Sequence, residues 1–345
     1  MPGMLTIDGS AGEGGGQVLR TSLALSAITG QAFRMVRVRA RRSRPGLMRQ
    51  HLTAVQAAAA ISGAAVEGGA LGSTEIVFRP GSIRPGEHRF AVGTAGSATL
   101  VFQTVLPPLL TCGEESSLLL EGGTHNPHAP PFDFLDRAFL PIIRRMGPRV
   151  DAVLETPGFY PAGGGRFRAD IAPAPALAPF ELLERGEVLA RRARALVASL
   201  PRSIAERELR VVGARLGLNA GCLSVEEVAR SRGPGNAVMI EIESEQVTEV
   251  LTGFGERGVR AEVVAERAAA EASAYLAAGA PVGPYLADQL LMPLALAGGG
   301  AFRSLEPSLH ARTQADVIRA FLGVDTRMEP VAGAVWHVEV GGSAR

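Results

Sequence analysis

The stretch GEGGGQVLRTSLALSAITG (residues 12–30) joins a glycine-rich turn to an apolar segment of helical length, and it decides the fold because it recurs. The pattern returns as GTAGSATLVFQTVLPPLLTCG (93–113) and as GPYLADQLLMPLALAGGG (283–300). In each copy a polar residue stands near the start of the apolar segment and glycine follows its end, as is typical of helix termini. The sequence therefore predicts three related helices in an internally repeated fold.

Each of these predicted helices is followed by the same two elements. A short run suited to a β-strand comes first, and a second amphipathic helix comes next. The strands are expected at residues 32–38, 116–121 and 301–305, and the second helices at residues 47–62, 132–146 and 313–322. We therefore predict a unit of helix, strand, helix and strand that occurs three times.

A charged segment separates the second unit from the third. Its patterns predict helices at 183–200 and 244–258, and strands in ELRVVGARL (208–216) and AVMIEIES (237–244). The proline-rich run 171–180 and an alanine-rich helix around Tyr275 are interpreted as its two connections.

These patterns together predict an α/β fold of the α+β type. A large domain would contain the three repeated units of two helices and a small sheet. A smaller α/β domain would be inserted into it. The expected boundaries are 1–182 for the first part of the large domain, 183–275 for the insert and 276–345 for the completion of the large domain.

The composition excludes several chemistries. Hydrophobic side chains make up 46% of the 345 residues, and the formal net charge is only +1, so any nucleic-acid site must be a local patch. The chain contains no lysine. A Walker A nucleotide site, a pyridoxal Schiff base and a lysine-linked adenylate are therefore excluded.

Cysteine usage and apolar runs bear on location. Cys112 and Cys222 lie far apart and predict neither a disulfide framework nor a CxxC metal site. The start of the chain has no basic region leading into an apolar stretch, and no run reaches the roughly 18 apolar residues of a membrane span. We expect a cytoplasmic protein with no membrane partner, and the oligomeric state stays open.

The strongest local charge lies near the start of the chain, where residues 14–66 contain no Asp or Glu. The arginines of this segment are Arg20, Arg34, Arg37, Arg39, Arg41, Arg42, Arg44 and Arg49. In VRVRA (36–40) the alternation predicts a strand with Arg37 and Arg39 on one face, and guanidinium groups suit phosphate oxygens. A solvated surface is the alternative, but the complete absence of acids favours phosphate binding.

The turn GEGGG (12–16) can expose several backbone N–H groups at a helix start, which is a natural cradle for an anion. A purely structural turn is the alternative, because the other units also carry glycine turns. Glu13 distinguishes the two, since its carboxylate would repel a bound polyphosphate unless a divalent cation lay between them. We therefore predict that Glu13 binds Mg²⁺ or Mn²⁺.

His310 lies in EPSLHARTQADVI (306–318), three residues before Thr313, which we predict as a helix N-cap with Asp316 completing a capping box. A histidine at a helix mouth can attack an electrophilic phosphorus while the helix terminus helps to hold phosphate. A surface or packing role is the alternative, because a lone histidine is more often structural. His51 follows Arg49 and Gln50 in the basic segment and is predicted to contact phosphate.

The run GFYPAGGG (158–165) resembles the signature of the RNA 3'-terminal phosphate cyclase family. Its neighbours agree with that family in order and spacing over nearly the full chain, and the combined match is more specific than any single glycine motif. These neighbours are IDGSAGEGGGQVLRT (7–21), RPGLMRQHL (44–52), GTAGSATLVFQ (93–103), GGTHNPHAPPFDF (122–134), YLADQL (285–290) and HARTQ (310–314).

The resemblance implies a three-step reaction with ATP on RNA that ends in a 3'-phosphate. A histidine becomes adenylylated and releases pyrophosphate, AMP passes to the RNA 3'-phosphate, and the vicinal 2'-OH closes a 2',3'-cyclic phosphate and releases AMP. By position it also implies the site residues. They are His310 as the nucleophile, Glu13 beside a divalent metal, Gln103, Tyr285, Leu286, Ala287, Asp288 and Gln289 around the adenosine and its phosphates, and Arg20, Arg39, Arg42, Gln50 and His51 near the substrate phosphates.

Two alternatives stay open from the sequence. The same family contains non-catalytic members that act in ribosome assembly, and the presence of His310, Glu13 and Gln103 argues against that reading. Transferases of small phosphorylated metabolites, such as enolpyruvyl transferases, are built from similar repeated units. They commonly grip phosphate with lysine, which this chain lacks.

Overall fold

The computed structural model describes residues 3–341 and contains a mixed set of helices and strands. The α-helices are α1 (Gly16–Thr29), α2 (Arg49–Ser62), α3 (Ala98–Leu110), α4 (Phe132–Phe134), α5 (Leu140–Arg145), α6 (Ser203–Leu216), α7 (Ala261–Ala278), α8 (Pro284–Leu296) and α9 (Leu309–Leu322). A π-helical segment, Leu135–Phe139, connects α4 to α5. No helix among the described residues is long and apolar enough to cross a membrane.

The strands form four sheets of four strands each within the described residues. They are β1 (Leu5–Asp8), β2 (Phe33–Val36), β3 (Ala65–Glu67), β4 (Ile76–Arg79), β5 (Gly86–Ala91), β6 (Ser116–Gly122), β7 (Arg149–Thr156), β8 (Gly165–Ala172), β9 (Glu181–Leu182), β10 (Val188–Ala198), β11 (Leu223–Glu227), β12 (Gly235–Ser244), β13 (Thr248–Phe254), β14 (Gly300–Ser304), β15 (Thr326–Ala332) and β16 (Val335–Val340).

Three of the sheets have the same strand order, which confirms the repeated fold. The orders are β1-β2-β4-β3, β5-β6-β8-β7 and β9-β14-β16-β15. In each sheet the first two strands are parallel and the others pair antiparallel. Each unit therefore begins with a strand that the sequence pattern did not reveal, and it ends in an antiparallel hairpin.

The repeated helices pack together in one hydrophobic core. Leu23 on α1, Phe102 on α3 and Leu290 on α8 are all fully buried in it. α1 contacts α2, α3 and α9, and α8 contacts α9. This packing brings the glycine-rich turn before α1 against the first turns of α9, although the two are separated by about 300 residues.

The fourth sheet, β11-β10-β12-β13, belongs to the charged segment and carries α6 and α7. Alternate residues of its central strand β10 face two different cores. Ala195 and Val197 pack with the helices of this segment, whereas Leu196 and Ala198 pack with the main core. We propose domain boundaries after residues 182 and 275, because the segment between them has its own hydrophobic cluster. Helix α7 continues past the second boundary to Ala278.

Several local predictions within this segment are wrong. The helix predicted at 183–200 is largely strand β10, the strand predicted at 208–216 lies in helix α6, and the helix predicted at 244–258 contains strand β13. Residues 195–198 of β10 are buried on both faces, so this part of the strand lacks the alternation of apolar and polar residues that marks a half-exposed strand. In α6 the buried residues recur at helical spacing, at Ala205, Leu209, Val212 and Leu216.

Glu249 lies on β13 where the inserted sheet meets the main core. Its carboxylate is fully buried and accepts a hydrogen bond from the backbone N–H of Gly283, the N-cap of α8. Burial raises the pKa of Glu249 from 4.5 to about 8, and backbone hydrogen bonds from Gly283 and Val250 oppose this rise only in part. Ionisation of this group therefore favours the unfolded chain.

The wild-type protein should lose stability as the pH rises, and we expect Glu249→Gln to remove this loss. A folded-state pKa above the unfolded value means that the stability is complete below pH 4.5 and is lost as the pH rises towards 8. At about 1.4 kcal/mol per pKa unit, the difference reaches up to about 5 kcal/mol. Urea denaturation of both proteins at pH 5 and pH 8.5 measures it. Glu87→Gln, at an exposed position, is the control, and equal pH dependence in wild type and Glu249→Gln would contradict the assignment.

Candidate functional site

The GEGGG turn closes directly on the helix that carries His310. Gly12 and Gly14 have φ values of 56° and 61°, which a side chain would strain. A Cβ at Gly12 would lie 2.0 Å from Thr313 Oγ1, and the backbone N–H of Glu13 donates to that oxygen at 3.0 Å. Glycine at position 12 therefore allows the contact between the first unit and the third.

Glu13 is the meeting point of three elements. Its side chain is only 4% exposed, and Oε1 accepts from the backbone N–H of Gln17 at the start of α1. Oε2 forms an ion pair with Arg42 and lies 3.9 Å from His310 Nδ1. The carboxylate thus joins the glycine turn, the basic segment and the first turn of α9.

His310 occupies the first turn of α9, but the predicted cap is wrong. The N-cap is Ser308, whose Oγ accepts from the backbone N–H of Ala311 at 3.0 Å. Thr313 lies one turn further on and donates to Leu309 O. The helix begins earlier than predicted because Ser308 satisfies its first free N–H groups, and this places His310 inside the helix terminus rather than before it.

The imidazole of His310 is accessible and neutral at pH 7. Its side chain is 49% exposed. Partial burial lowers its pKa below 6.5, Arg20 and Arg42 lower it further, and Glu13 opposes them. Because the carboxylate faces Nδ1, it favours the tautomer that keeps the proton there and leaves the lone pair on Nε2.

The basic segment does not form the predicted strand face. β2 ends at Val36, and Arg37 and Arg39 both have left-handed backbone conformations, with φ values of 55° and 53°. Arg37 pairs with Asp8, whereas Arg39 is buried and donates to the carbonyl oxygens of Arg44 and Gly46. A turn replaces the strand, so the two guanidinium groups diverge and Arg39 stabilises the loop around it.

Arg20 and His51 form a basic pair beneath the glycine turn. A Cβ at Gly16 would lie 2.6 Å from both Arg20 Nη1 and His51 Nε2. Burial lowers the pKa of Arg20 to about 10, against the opposing charge of Glu13. Burial also lowers the pKa of His51 to about 3, with help from Arg20 and the neighbouring arginines, and its Nδ1 has no hydrogen-bond partner among residues 3–341. The Arg20 guanidinium lines a cleft beside the neutral, buried imidazole of His51, and the two together provide a site for an anion.

Some of the residues predicted around the nucleotide line a cleft or are exposed, and others are buried in the core. Gln103 and Gln289 hydrogen-bond to each other and line a cleft together with Arg20. Tyr285 is half exposed at the start of α8. By contrast, the side chains of Leu286 and Ala287 are buried in the core.

Asp288 faces the start of helix α9. Its Oδ1 accepts from Ser308 Oγ at 2.6 Å, and burial raises its pKa to about 7. Asp288 therefore fixes the N-cap of α9. Gln50, the remaining predicted phosphate ligand, accepts from the backbone N–H of Ser97 through Oε1 and joins α2 to the turn before α3.

Three site residues were missed by sequence reasoning. Gln314 and Gln17 line the cleft beside Arg20, and Gln314 Oε1 is buried with no hydrogen-bond partner in the described part of the chain. Ser308 holds the helix start. A useful signal for Gln314 was its position four residues after His310, which places it next to the histidine on the helix surface.

The described residues contain no group of three or more His, Cys, Asp and Glu side chains that could hold a metal by themselves. Magnesium often uses only one or two carboxylates together with substrate phosphates. The single buried carboxylate of Glu13 beside the basic pair fits that type of site.

Known proteins are similar to this chain over nearly its whole length. The sequence model of the RNA 3'-terminal phosphate cyclase family matches residues 11–328. Proteins named RNA 3'-terminal phosphate cyclase are similar along most of the chain. One from Koribacter versatilis is 54% identical over 321 residues, which is 93% of this chain and 90% of that protein. One from Ralstonia nicotianae is 51% identical over 93% of this chain and 92% of its own, and one from Pseudomonas fluorescens is 50% identical over 97% of both. The chain therefore belongs to the RNA 3'-terminal phosphate cyclase family.

Proposed function

We propose that this protein uses ATP to convert an RNA 3'-terminal phosphate into a 2',3'-cyclic phosphate, through adenylyl-histidine and RNA-adenylate intermediates. The observation that carries the proposal is the accessible, neutral imidazole of His310, which faces Glu13 and lies beside Arg20 and Arg42. The names of the family's relatives support the substrate and the product. The absence of lysine supports histidine as the carrier of AMP.

In the first step, the lone pair of His310 Nε2 attacks the α-phosphorus of ATP, a P–N bond forms and the bond to the β-phosphate oxygen breaks. Glu13 favours the proton on Nδ1 and so keeps Nε2 nucleophilic. Arg20 and Arg42 offset the negative charge that develops on the phosphates. The cleft lined by Gln103 and Gln289 is the proposed place of the adenosine, and the half-exposed Tyr285 lies one turn before Gln289 on α8.

In the later steps, an oxygen of the RNA 3'-phosphate attacks the same phosphorus and His310 leaves with its lone pair. The neighbouring 2'-OH then attacks the activated RNA phosphorus, loses its proton and displaces AMP. This last step is intramolecular, and good orientation can contribute as much as about 7 to 11 kcal/mol to lowering its barrier. Arg20 and His51 are the proposed contacts of the RNA phosphate because the positively charged guanidinium of Arg20 lies beside the neutral, buried ring of His51.

A divalent cation, Mg²⁺ or Mn²⁺, completes the proposal. Glu13 would hold it together with the substrate phosphates, and it would supply charge neutralisation between two polyanions. We also propose a cytoplasmic location, since Cys112 and Cys222 are both free thiols.

A non-catalytic binding protein of the same family is the competing hypothesis. A binding protein does not need the exposed imidazole with its capped helix and its buried carboxylate. Covalent attachment of labelled AMP distinguishes the two hypotheses, because only the enzyme forms it.

We expect His310→Ala and His310→Asn to fold but to form no adduct with α-labelled ATP, because no ring nitrogen remains to attack phosphorus. The wild-type adduct should form without RNA, be lost in acid and survive alkali. His88→Asn, a histidine away from the site, is the matched control and should keep the adduct. Retention of the adduct in either His310 variant would refute the assignment.

The same His310 variants should still cyclise RNA that is supplied as the adenylylated 3'-phosphate, since the 2'-OH attack does not use the histidine as a nucleophile. Measurement of cyclic-phosphate ends after incubation tests this bypass. Its failure would mean that His310 also takes part in the cyclisation.

We expect Glu13→Gln to raise the Mg²⁺ concentration needed for half-maximal self-adenylylation by about tenfold or more. Glutamine can still accept from the Gln17 N–H, so the variant removes the charge with little change of shape. Glu75→Gln removes a carboxylate paired with another arginine of the basic segment and is the control. Identical metal titrations for wild type and Glu13→Gln would rule out the metal role.

A further inference from the structure

The turn that contains GFYPAGGG (158–165) connects β7 to β8 and has a rigid base with one exposed aromatic ring. Phe159 is buried and packs on His125, with 5.4 Å between the ring centroids. Gly163 N–H donates to Phe159 O at 2.7 Å and closes the turn. Tyr160 is 68% exposed. A fixed backbone therefore presents this ring to solvent.

This turn is continuous with the proposed phosphate site. A Cβ at Gly163 would lie 2.7 Å from Thr94 O and 2.8 Å from Ala95 Cα, so the turn packs directly on the turn before α3. That second turn contacts Gln50, whose Oε1 accepts from Ser97 N at 3.2 Å. Gln50 directly precedes His51 at the start of α2. A chain of packing contacts therefore joins the turn that carries Tyr160 to the start of α2, where His51 lies.

The other side of the turn meets a loop of the inserted segment, residues 229–234 (ARSRGP). The aliphatic part of Arg232 lies against Gly164, and Gly233 lies against Ala162. Arg230 and Arg232 are both exposed.

The nearby carboxylates do not neutralise these two guanidinium groups. Glu226 pairs with Arg194, and Glu227 pairs with Arg202. Within the part of the chain that the structure describes, neither Arg230 nor Arg232 forms an ion pair, and Arg232 lies against the turn that carries Tyr160.

A buried chain of hydrogen bonds joins the inserted sheet to the turn 158–165. Thr124 Oγ1 accepts from Gly158 N and donates to His125 Nδ1, which leaves His125 Nε2 to donate to Asp133. Asp133 in turn pairs with Arg194 on β10. The turn 158–165 and the inserted sheet are therefore held in a constant position relative to each other.

We propose that the turn 158–165 and the loop 229–234 form a track for the single-stranded RNA that precedes the terminal phosphate. Tyr160 stacks on a base upstream of the two terminal nucleotides, and Arg230 and Arg232 contact the phosphates of the nucleotides around it. Stacking on an exposed aromatic ring beside basic side chains is how proteins bind single strands without reading their sequence. The inference rests on the proposed function, because that function places the RNA 3'-phosphate beside Arg20 and His51.

If the track exists, the KM depends on the length of the RNA, and variants of the track should reduce this dependence. The KM of wild type should be lower for a ten-nucleotide RNA with a 3'-phosphate than for a dinucleotide with a 3'-phosphate. In Tyr160→Ala the KM for the ten-mer should rise about tenfold, while that for the dinucleotide changes much less. Tyr160→Phe keeps the ring and should restore most of the difference.

The arginines are tested in the same way. Arg232→Gln should raise the KM for the ten-mer and reduce the slope of log affinity against log salt concentration by about one unit. Arg210→Gln removes an exposed arginine on α6, away from the track, and is the matched control. If neither Tyr160→Ala nor Arg232→Gln changes the ratio of the two KM values, the track does not exist.

Direct binding separates this inference from the proposed function. Fluorescence anisotropy with a labelled 3'-phosphorylated ten-mer needs no catalysis. If wild type formed no adenylyl adduct, the proposed function would fail, and weaker binding of the ten-mer by Tyr160→Ala would still support the track. Equal binding by wild type, Tyr160→Ala and Arg232→Gln would overturn the track even in an active enzyme.

Discussion

The hydrogen bond from the backbone of Glu13 to the hydroxyl of Thr313 holds together the two ends of the repeated fold. It requires a glycine at position 12, because any side chain there would overlap Thr313. The contact brings a carboxylate from the first unit to the helix terminus of the third. Neither unit alone contains both a candidate nucleophile and the charges that tune it, so the site exists only where the units meet.

The same packing explains how a neutral histidine can exist among arginines. Burial and the nearby positive charges all lower the pKa of His310, and the single carboxylate of Glu13 opposes them. Glu13 accepts a hydrogen bond from the backbone N–H of Gln17 and forms an ion pair with Arg42. These contacts offset most of the free energy that desolvation of its charge costs. The arrangement favours a deprotonated ring at neutral pH while keeping a high density of donors for phosphate.

The sequence predicted the repeated architecture well because glycine turns followed by apolar helices are local patterns. It failed where burial removes the pattern, as in β10, whose alternate residues face two cores. The turn at Arg37 and Arg39 was missed because their left-handed backbone conformations depend on contacts with Asp8 and Gly46, which are not visible in the local run of residues.

The roles of individual site residues show the same limit. A family motif can indicate that Asp288 lies near the nucleotide, but only the folded chain shows its bond to Ser308. Ser308 and Gln314 gave no separate motif, since their importance comes from where α9 begins and which side of it faces the cleft. The existence of α9 was predictable, whereas its first residue and its partners in other units were not.

The place of the insert has a consequence for how the chain folds. β9 and β14 pair in parallel although about 120 residues separate them, because the inserted sheet and its helices lie between them. Closing so long a loop costs conformational entropy that shorter units, such as β1 to β2, avoid. The insert has its own hydrophobic cluster and can condense first, which shortens the effective span that remains to be closed. We expect the unit that carries His310 to assemble last, so that this histidine acquires its surroundings only after the rest of the protein is in place.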